Sequence, residues 1–335
     1  MIELRSPELA VAVEPHGARL ARLTSPDRDG RPGEVVVGLA ERDYKADTAY
    51  LGATVGRYAN RIADGTFVLD GRRFHLPRNE LLATLHGGPG GFDHADFAPG
   101  PVTETPGGQS VTLRHTSPDG DGGFPGTLDV AVTFAVRGPE LAITITATAD
   151  APTVVNLTNH AYFDLSGRGT IADHEITVLA DRYLPVDAAL IPDGPPAPVA
   201  GTPFDLTAPT RIGDRLGDPL LSATDGYDHC FVLREWEGLR TDGLSTAAHV
   251  RDPGSGRTLT VLTDQPGLQF YTGNRLDATT HDGRRVGRHG AFCLEPQQFP
   301  DAPNRPDFPA AVLRPGEEHT TRILLRLGTD SMERR

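Results

Sequence analysis

Leu128-Asp129-Val130-Ala131-Val132-Thr133-Phe134-Ala135-Val136-Arg137-Gly138-Pro139-Glu140-Leu141-Ala142-Ile143-Thr144-Ile145-Thr146 alternates apolar with polar or small side chains and breaks the pattern once. Leu128, Val130, Val132, Phe134 and Val136 fall on one face; Asp129, Ala131, Thr133 and Ala135 fall on the other. Successive side chains of a strand point to opposite sides, so the spacing predicts two strands with one buried face each. Arg137-Gly138-Pro139-Glu140 turns the chain, and Leu141, Ile143 and Ile145 resume the apolar face. The stretch reads as an antiparallel hairpin with one side on a core.

The same period recurs on both sides of it. Residues 66–76 read as a second hairpin, with Asp70-Gly71 as a two-residue turn and Phe67 opposite Phe74. Further strands are expected at 9–14, 110–115, 174–179, 258–263 and 321–327, and a short helix at 42–50. The 38 Gly and 29 Pro are dispersed, which suits many strands joined by many turns rather than one linker. The chain shows no βαβ rhythm, glycine-rich phosphate loop or fixed repeat. The expectation is an all-β protein, a large antiparallel β-sandwich or barrel, with one domain over 1–329 and a frayed tail at 330–335.

A formal charge of −13 disfavours nucleic acid and anionic membranes as partners and points to a neutral small molecule. Cys230 and Cys293 sit among apolar neighbours without metal-ligand spacing, so they read as reduced core thiols. Met1 to Leu23 lacks a basic-then-apolar leader pattern and no apolar run reaches membrane-spanning length, which gives a cytoplasmic expectation.

Six segments gather polar residues that neither a core nor a turn requires. Gly56 to Ile62 places Asn60 beside Arg61, a dense set of donors for hydroxyls or a solvated loop. Leu85 to Phe92 holds His86 before a glycine-rich run, which reads as a backbone passing close to a ligand or as an inert loop. Val155 to Leu165, taken as one strand, puts Asn156, Thr158, His160 and Tyr162 on one face, either a cavity wall or a sheet face open to water. Asp228 precedes an apolar strand, as a hydroxyl acceptor or a turn cap. Gln269 shares a strand face with Tyr271, an amide beside a ring that suits a sugar's hydroxyls and C–H groups. Glu295 follows Phe292-Cys293-Leu294 at the end of an expected strand, where a carboxylate is costly unless paired or used.

Asn60-Arg61-Ile62, Leu85-His86-Gly87-Gly88, Asn159-His160-Ala161-Tyr162-Phe163, Asp228-His229, Gln269 to Asn274 and Leu294-Glu295-Pro296-Gln297 occur in one order. Together they resemble the aldose 1-epimerase, or galactose mutarotase, family over nearly the whole chain. The resemblance implies that family's β-supersandwich with an open sugar cleft, and interconversion of the α and β anomers of free aldohexoses such as galactose and glucose. It implies Glu295 as catalytic base, His160 as catalytic acid, and Asn60, Arg61, His86, Asp228 and Gln269 as substrate-binding residues, with no metal or cofactor, in a monomer or homodimer. Glu295 near Arg61 would be favoured as a carboxylate. Departures fall at His94, Phe97, Asp164 and Asp119-Gly120-Asp121-Gly122-Gly123, where they are expected to alter the cleft rim. The competing readings are a sugar-binding module without turnover, and an epimerase of hexose 6-phosphates using Arg57 and Arg61. A glycoside hydrolase using Asp228 and Glu295 and a zinc hydrolase rank lower.

Overall fold

The computed structural model describes residues 1–80, 82–234 and 243–330. The deciding hairpin forms as its alternation dictates. Leu128–Arg137 and Glu140–Ala149 pair antiparallel, with Phe134 opposite Ile143 and Val132 opposite Ile145. Their apolar members are buried. Gly108–Ser117 pairs with the first strand and His319–Thr329 with the second. Among the described residues this assembly grows into a ten-stranded sheet. A six-stranded sheet runs in the order Tyr162–Phe163, Phe292–Gln297, Gly267–Tyr271, Asp228–Leu233, Ala180–Tyr183, Ala197–Pro198. Ile2–Arg5, Ala10–Glu14, Arg19–Pro26 and Pro32–Glu34 make a four-stranded sheet.

One apolar cluster joins the three sheets. Val132, Phe134 and Ile143 enter it from the large sheet, Phe231, Phe270, Phe292 and Leu294 from the six-stranded sheet, and Val13 and Leu20 from the four-stranded one. Each such side chain stabilises the fold by about 1.5–3 kcal/mol when removed from water. Among the described residues, no helix is long and apolar enough to cross a membrane.

The expected strands appear as Ala10–Glu14, Gly108–Ser117, Glu175–Val178, Arg257–Thr263 and His319–Thr329. In the second hairpin Phe67 lies opposite Phe74, and Asp70 and Gly71 both have positive φ, as a two-residue turn of this twist requires. The helix expected at 42–50 shrinks to a 3-10 turn at Glu41–Ala46, whose N-cap, Ala40, has no side chain able to bond the free amides. The reading of 155–165 as one strand fails. Thr158–Asn159 pairs with Thr54–Val55, while Tyr162–Phe163 joins the six-stranded sheet. Both faces are therefore covered, and Asn156 is a pin: its amide donates to Ala59 O and accepts from the Gln298 amide. Residues 331–335 of the expected tail lie outside the described residues. Asp330 at its head is tied down, accepting from Arg28 and Arg251 at 2.9 Å each.

The six-stranded sheet positions the site through its pleat. Phe231, Phe270, Phe292 and Leu294 face the core. Period two then sends Asp228, Gln269, Tyr271, Cys293 and Glu295 to the opposite face. Register brings them together: Gln269 lies opposite Glu295, and Tyr271 lies opposite both Asp228 and Cys293.

Candidate active site

That outer face is the floor of a cleft of about 560 Å³. All seven residues singled out from the sequence line it: Asn60, Arg61, His86, His160, Asp228, Gln269 and Glu295. Glu295 stands in the middle of the strand Phe292–Gln297, not at its end as the sequence suggested, and is 2 % exposed. Its Oε1 lies 3.7 Å from His160 Nε2, while Oε2 is buried without a hydrogen-bond partner.

Burial pushes the Glu295 carboxyl well above the usual carboxylate range; Asp228 adds to the rise and Arg61 opposes it. Proximity to Arg61 therefore does not secure the carboxylate, contrary to the sequence expectation. Arg61 is committed elsewhere: Nε donates to Glu80 Oε2 at 2.7 Å, Nη2 to Glu80 Oε1 at 3.2 Å, and Nη2 lies 3.6 Å from Asp228 Oδ2. Burial also lowers the His160 imidazole to about 4, against weaker upward pulls from its own backbone, Asp47 and Asp228. Burial thus disfavours the charged form of each member of the pair.

His160 is held in an aromatic box. Its ring stacks on Tyr162 and Tyr50, with centroids at 5.1 and 5.8 Å, and meets His86 edge-on at 5.2 Å. Asn60 and His86 both have positive φ and bond reciprocally: Asn60 N–H donates to His86 Nδ1, and His86 N–H donates to Asn60 O, each at 3.1 Å. An amide donating to Nδ1 leaves the neutral ring's proton on Nε2. Burial above all, with the positive charge of Arg61, holds that imidazole well below its usual range and so keeps the ring neutral. His86 is accordingly a fixed Nε2–H donor. Gln269 donates to Asp228 Oδ1 at 2.6 Å, which orients its amide and leaves Oε1 buried and unpaired.

The ligand atoms of His86, His160 and Glu295 lie within 4.8 Å of one another, a metal-like spacing. The residues do not suit a metal, because ligation by His86 Nε2 would require the proton that the Asn60 amide keeps there to leave.

Glycine density after His86 serves neither of the roles considered from sequence. A Cβ at Gly87 would lie 1.9 Å from Gly56 O, so the residue lets two backbone segments cross. Nor does Arg57 face the cleft. Its guanidinium donates to Ser117 Oγ and to the carbonyls of Ser117, Pro118, Pro125 and Gly126. Arg57→Ala leaves those acceptors unpaired and is expected to cost about 3 kcal/mol or more in chemical denaturation, with sugar affinity of the folded fraction unchanged.

The expected effect of the departures on the rim is not borne out. Phe97 is buried against Phe92 and His115, His94 lies beside Asp93, and Asp164 accepts the amides of Ser166, Gly167 and Gly169. Within 119–123, Asp121 accepts from Ser117, under the Arg57 guanidinium. None of these lines the cleft. Sequence reasoning missed Tyr50 and Glu80, which come from irregular segments whose spacing gives no signal.

The family described as aldose 1-epimerase matches residues 1–326 of the chain. Galactose mutarotase of Mus musculus is 46% identical over 326 residues, covering 95% of this chain and 92% of that protein. The chain belongs to the aldose 1-epimerase family. Two crystal structures agree with that membership in fold. The aldose epimerase homologue from C. elegans superposes with a TM-score of 0.88 at 31% identity, covering 98% of each chain. Galactose 1-epimerase from Lactobacillus acidophilus gives 0.84 at 29% identity, covering 98% of this chain and 93% of that one. As an epimerase, the protein is an isomerase, and its cleft needs to supply proton movement rather than hydrolysis or redox chemistry.

Proposed function

We propose that the protein interconverts the α and β anomers of free aldohexoses such as D-galactose and D-glucose by acid–base ring opening and reclosure. The observation that carries this reading is the Glu295–His160 pair, 3.7 Å apart on the floor of the cleft. Ring opening requires the C1 hydroxyl to lose a proton while the ring oxygen gains one. Transfer of the Glu295 proton to His160 Nε2 yields a carboxylate and an imidazolium without exchange with solvent. Glu295 then takes the C1 hydroxyl proton and His160 protonates the ring oxygen as the C1–O5 bond breaks. Rotation about C1–C2 presents the other face of the aldehyde, and the two proton movements reverse on closure. Each positioned proton-transfer group contributes about 10²–10⁴-fold.

The other residues hold the sugar still. His86 Nε2–H donates to a sugar oxygen, Asp228 and Gln269 take hydroxyls, and Asn60 fixes His86. Arg61, gripped by Glu80, donates beside Asp228. Orientation of this kind limits drift of the open chain. A hexose 6-phosphate suits the cleft poorly. Arg57 is turned away into carbonyls, and Arg61 is already balanced by Glu80 and Asp228.

Polarimetry tests the proposal. Freshly dissolved α-D-galactose and α-D-glucose should relax to the unchanged equilibrium rotation faster with the protein than without it, and the 6-phosphate should show at least about tenfold lower kcat/KM, the cost of one unpaired charge. Calorimetric binding of these sugars with no acceleration would support the binding-module alternative instead.

A further inference from the structure

Arg61 owes its setting to a short segment outside the regular strands. Arg61 is paired with Leu85 between the strands Arg61–Ala63 and Ala83–Leu85. Asn79 is latched to that same Leu85: Leu85 N–H donates to Asn79 Oδ1 at 2.8 Å, and Asn79 Nδ2 donates to Leu85 O at 3.0 Å. Glu80 N–H donates to Ala83 O at 3.2 Å. These bonds seat the Glu80 carboxylate against the buried guanidinium, where it takes Nε and Nη2 together.

We propose that Glu80 is the specificity-determining residue that confines the cleft to uncharged sugars, by fixing the Arg61 fork and cancelling its charge. The proposal rests on the cleft being the sugar site. A guanidinium presents its N–H groups in one rigid plane. Glu80 and Asp228 engage the Nε and Nη2 side of that plane, whereas Nη1 has no partner among the described residues and is not sealed from solvent. The two Nη1 N–H groups are therefore the ones offered to a sugar oxygen, in a direction that the two-point bond to Glu80 sets. Burial works against the Arg61 charge, and Asp228 and Glu80 outweigh it, lifting the guanidinium above its usual range. The cation is kept, and its charge is balanced before a ligand arrives.

Charge then decides what else the cleft accepts. Its charged lining is Arg61 and Arg275 against Glu80, Asp228, Asp277 and Glu295. An anionic substituent meets more carboxyl groups than cations there, and like charges brought together are penalised. A hexuronate has the ring and anomeric centre of a neutral aldohexose and differs by a carboxylate at C6, so charge is what separates the two. Glu80 is the carboxylate of this set that bonds Arg61 directly without belonging to the reacting pair. Without it, Arg61 would face only Asp228 Oδ2, at 3.6 Å.

The test compares Glu80→Gln and Glu80→Asp by polarimetry on galactose and on galacturonate. Glutamine keeps the length of the side chain and removes its charge; aspartate keeps the charge and loses the reach. Glu80→Gln should raise KM for galactose about tenfold with kcat within about threefold, because the amide oxygen accepts from the fork and the amide nitrogen cannot. It should also cut the kcat/KM preference for galactose over galacturonate by at least about tenfold, the effect of one uncompensated charge. Glu80→Asp should raise KM for galactose as well, yet keep that preference within about twofold of wild type. A folded Glu80→Gln with the wild-type preference, a Glu80→Asp that loses the preference as fully as glutamine does, or a fall in kcat at unchanged KM would each overturn the proposal. Calorimetric titration with both sugars separates this from the anomer reading. A wild type that accelerates neither sugar, with a galactose-over-galacturonate affinity ratio that falls in Glu80→Gln, would overturn the anomer reading and support the role of Glu80; an unchanged ratio would overturn both.

Discussion

Glu295→Gln is expected to lower kcat for mutarotation by about 10³–10⁴-fold while KM stays within a few-fold. The carboxamide has the carboxyl's shape, and its amide can still meet a sugar hydroxyl. It cannot accept the C1 hydroxyl proton. Stability provides a second, independent readout. Burial raises the folded Glu295 pKa well above its value in an unfolded chain. A group raised in this way contributes its full stability below the unfolded pKa, near 4.3, and loses it as pH rises through the folded pKa. Glutamine carries no such penalty. The melting temperature of Glu295→Gln relative to wild type should therefore increase from pH 4 to pH 8. Wild-type turnover in the variant would remove Glu295 from the base role, and a pH-independent difference in melting temperature would contradict the buried carboxyl.

Much of this site is legible in the sequence because it rests on regular strands. Once Phe231, Phe270, Phe292 and Leu294 are assigned to the core, the pleat leaves Asp228, Gln269 and Glu295 no other face to occupy. The same rule made the hairpin at 128–149 and the Phe67–Phe74 pair readable. What period two cannot reveal is register between strands distant in sequence. Gln269 opposite Glu295, and Cys293 opposite both Tyr162 and Tyr271, emerge only from sheet topology.

The irregular segments were less readable for a different reason. Tyr50 and Glu80 enter the cleft from turns, where no periodicity fixes the direction of a side chain. Residues 155–165 misled because a period-two pattern was present without a continuous strand beneath it. That segment crosses between sheets, and burial on both sides replaces the exposed face an alternation implies. Arg57 entered the sequence reading only through the competing 6-phosphate reading, for its closeness in sequence to Arg61, and its five hydrogen bonds instead tie the 117–126 loop to the core. Residue type alone does not distinguish an arginine that serves a ligand from one that serves backbone carbonyls.

His160→Asn is expected to lower kcat by about 10²–10⁴-fold, and to change the shape of the pH profile as well as its height. On the proposed mechanism the active form is the Glu295–His160 pair holding one proton. As pH falls through about 4, where burial places His160, the pair gains a second proton and has no base. As pH rises through the elevated Glu295 pKa, the pair loses its last proton and has no acid. The wild-type kcat/KM profile is therefore a broad plateau between two limbs, both belonging to the pair rather than to one residue. Asparagine removes the acid and its titration together. Residual turnover then needs only an ionised Glu295, with water protonating the ring oxygen. The variant's rate should climb with pH over the range where the wild-type rate falls. A variant profile that still falls at high pH would mean that the upper limb belongs to a group other than Glu295, and that the proton shared across 3.7 Å is not the one that opens the ring.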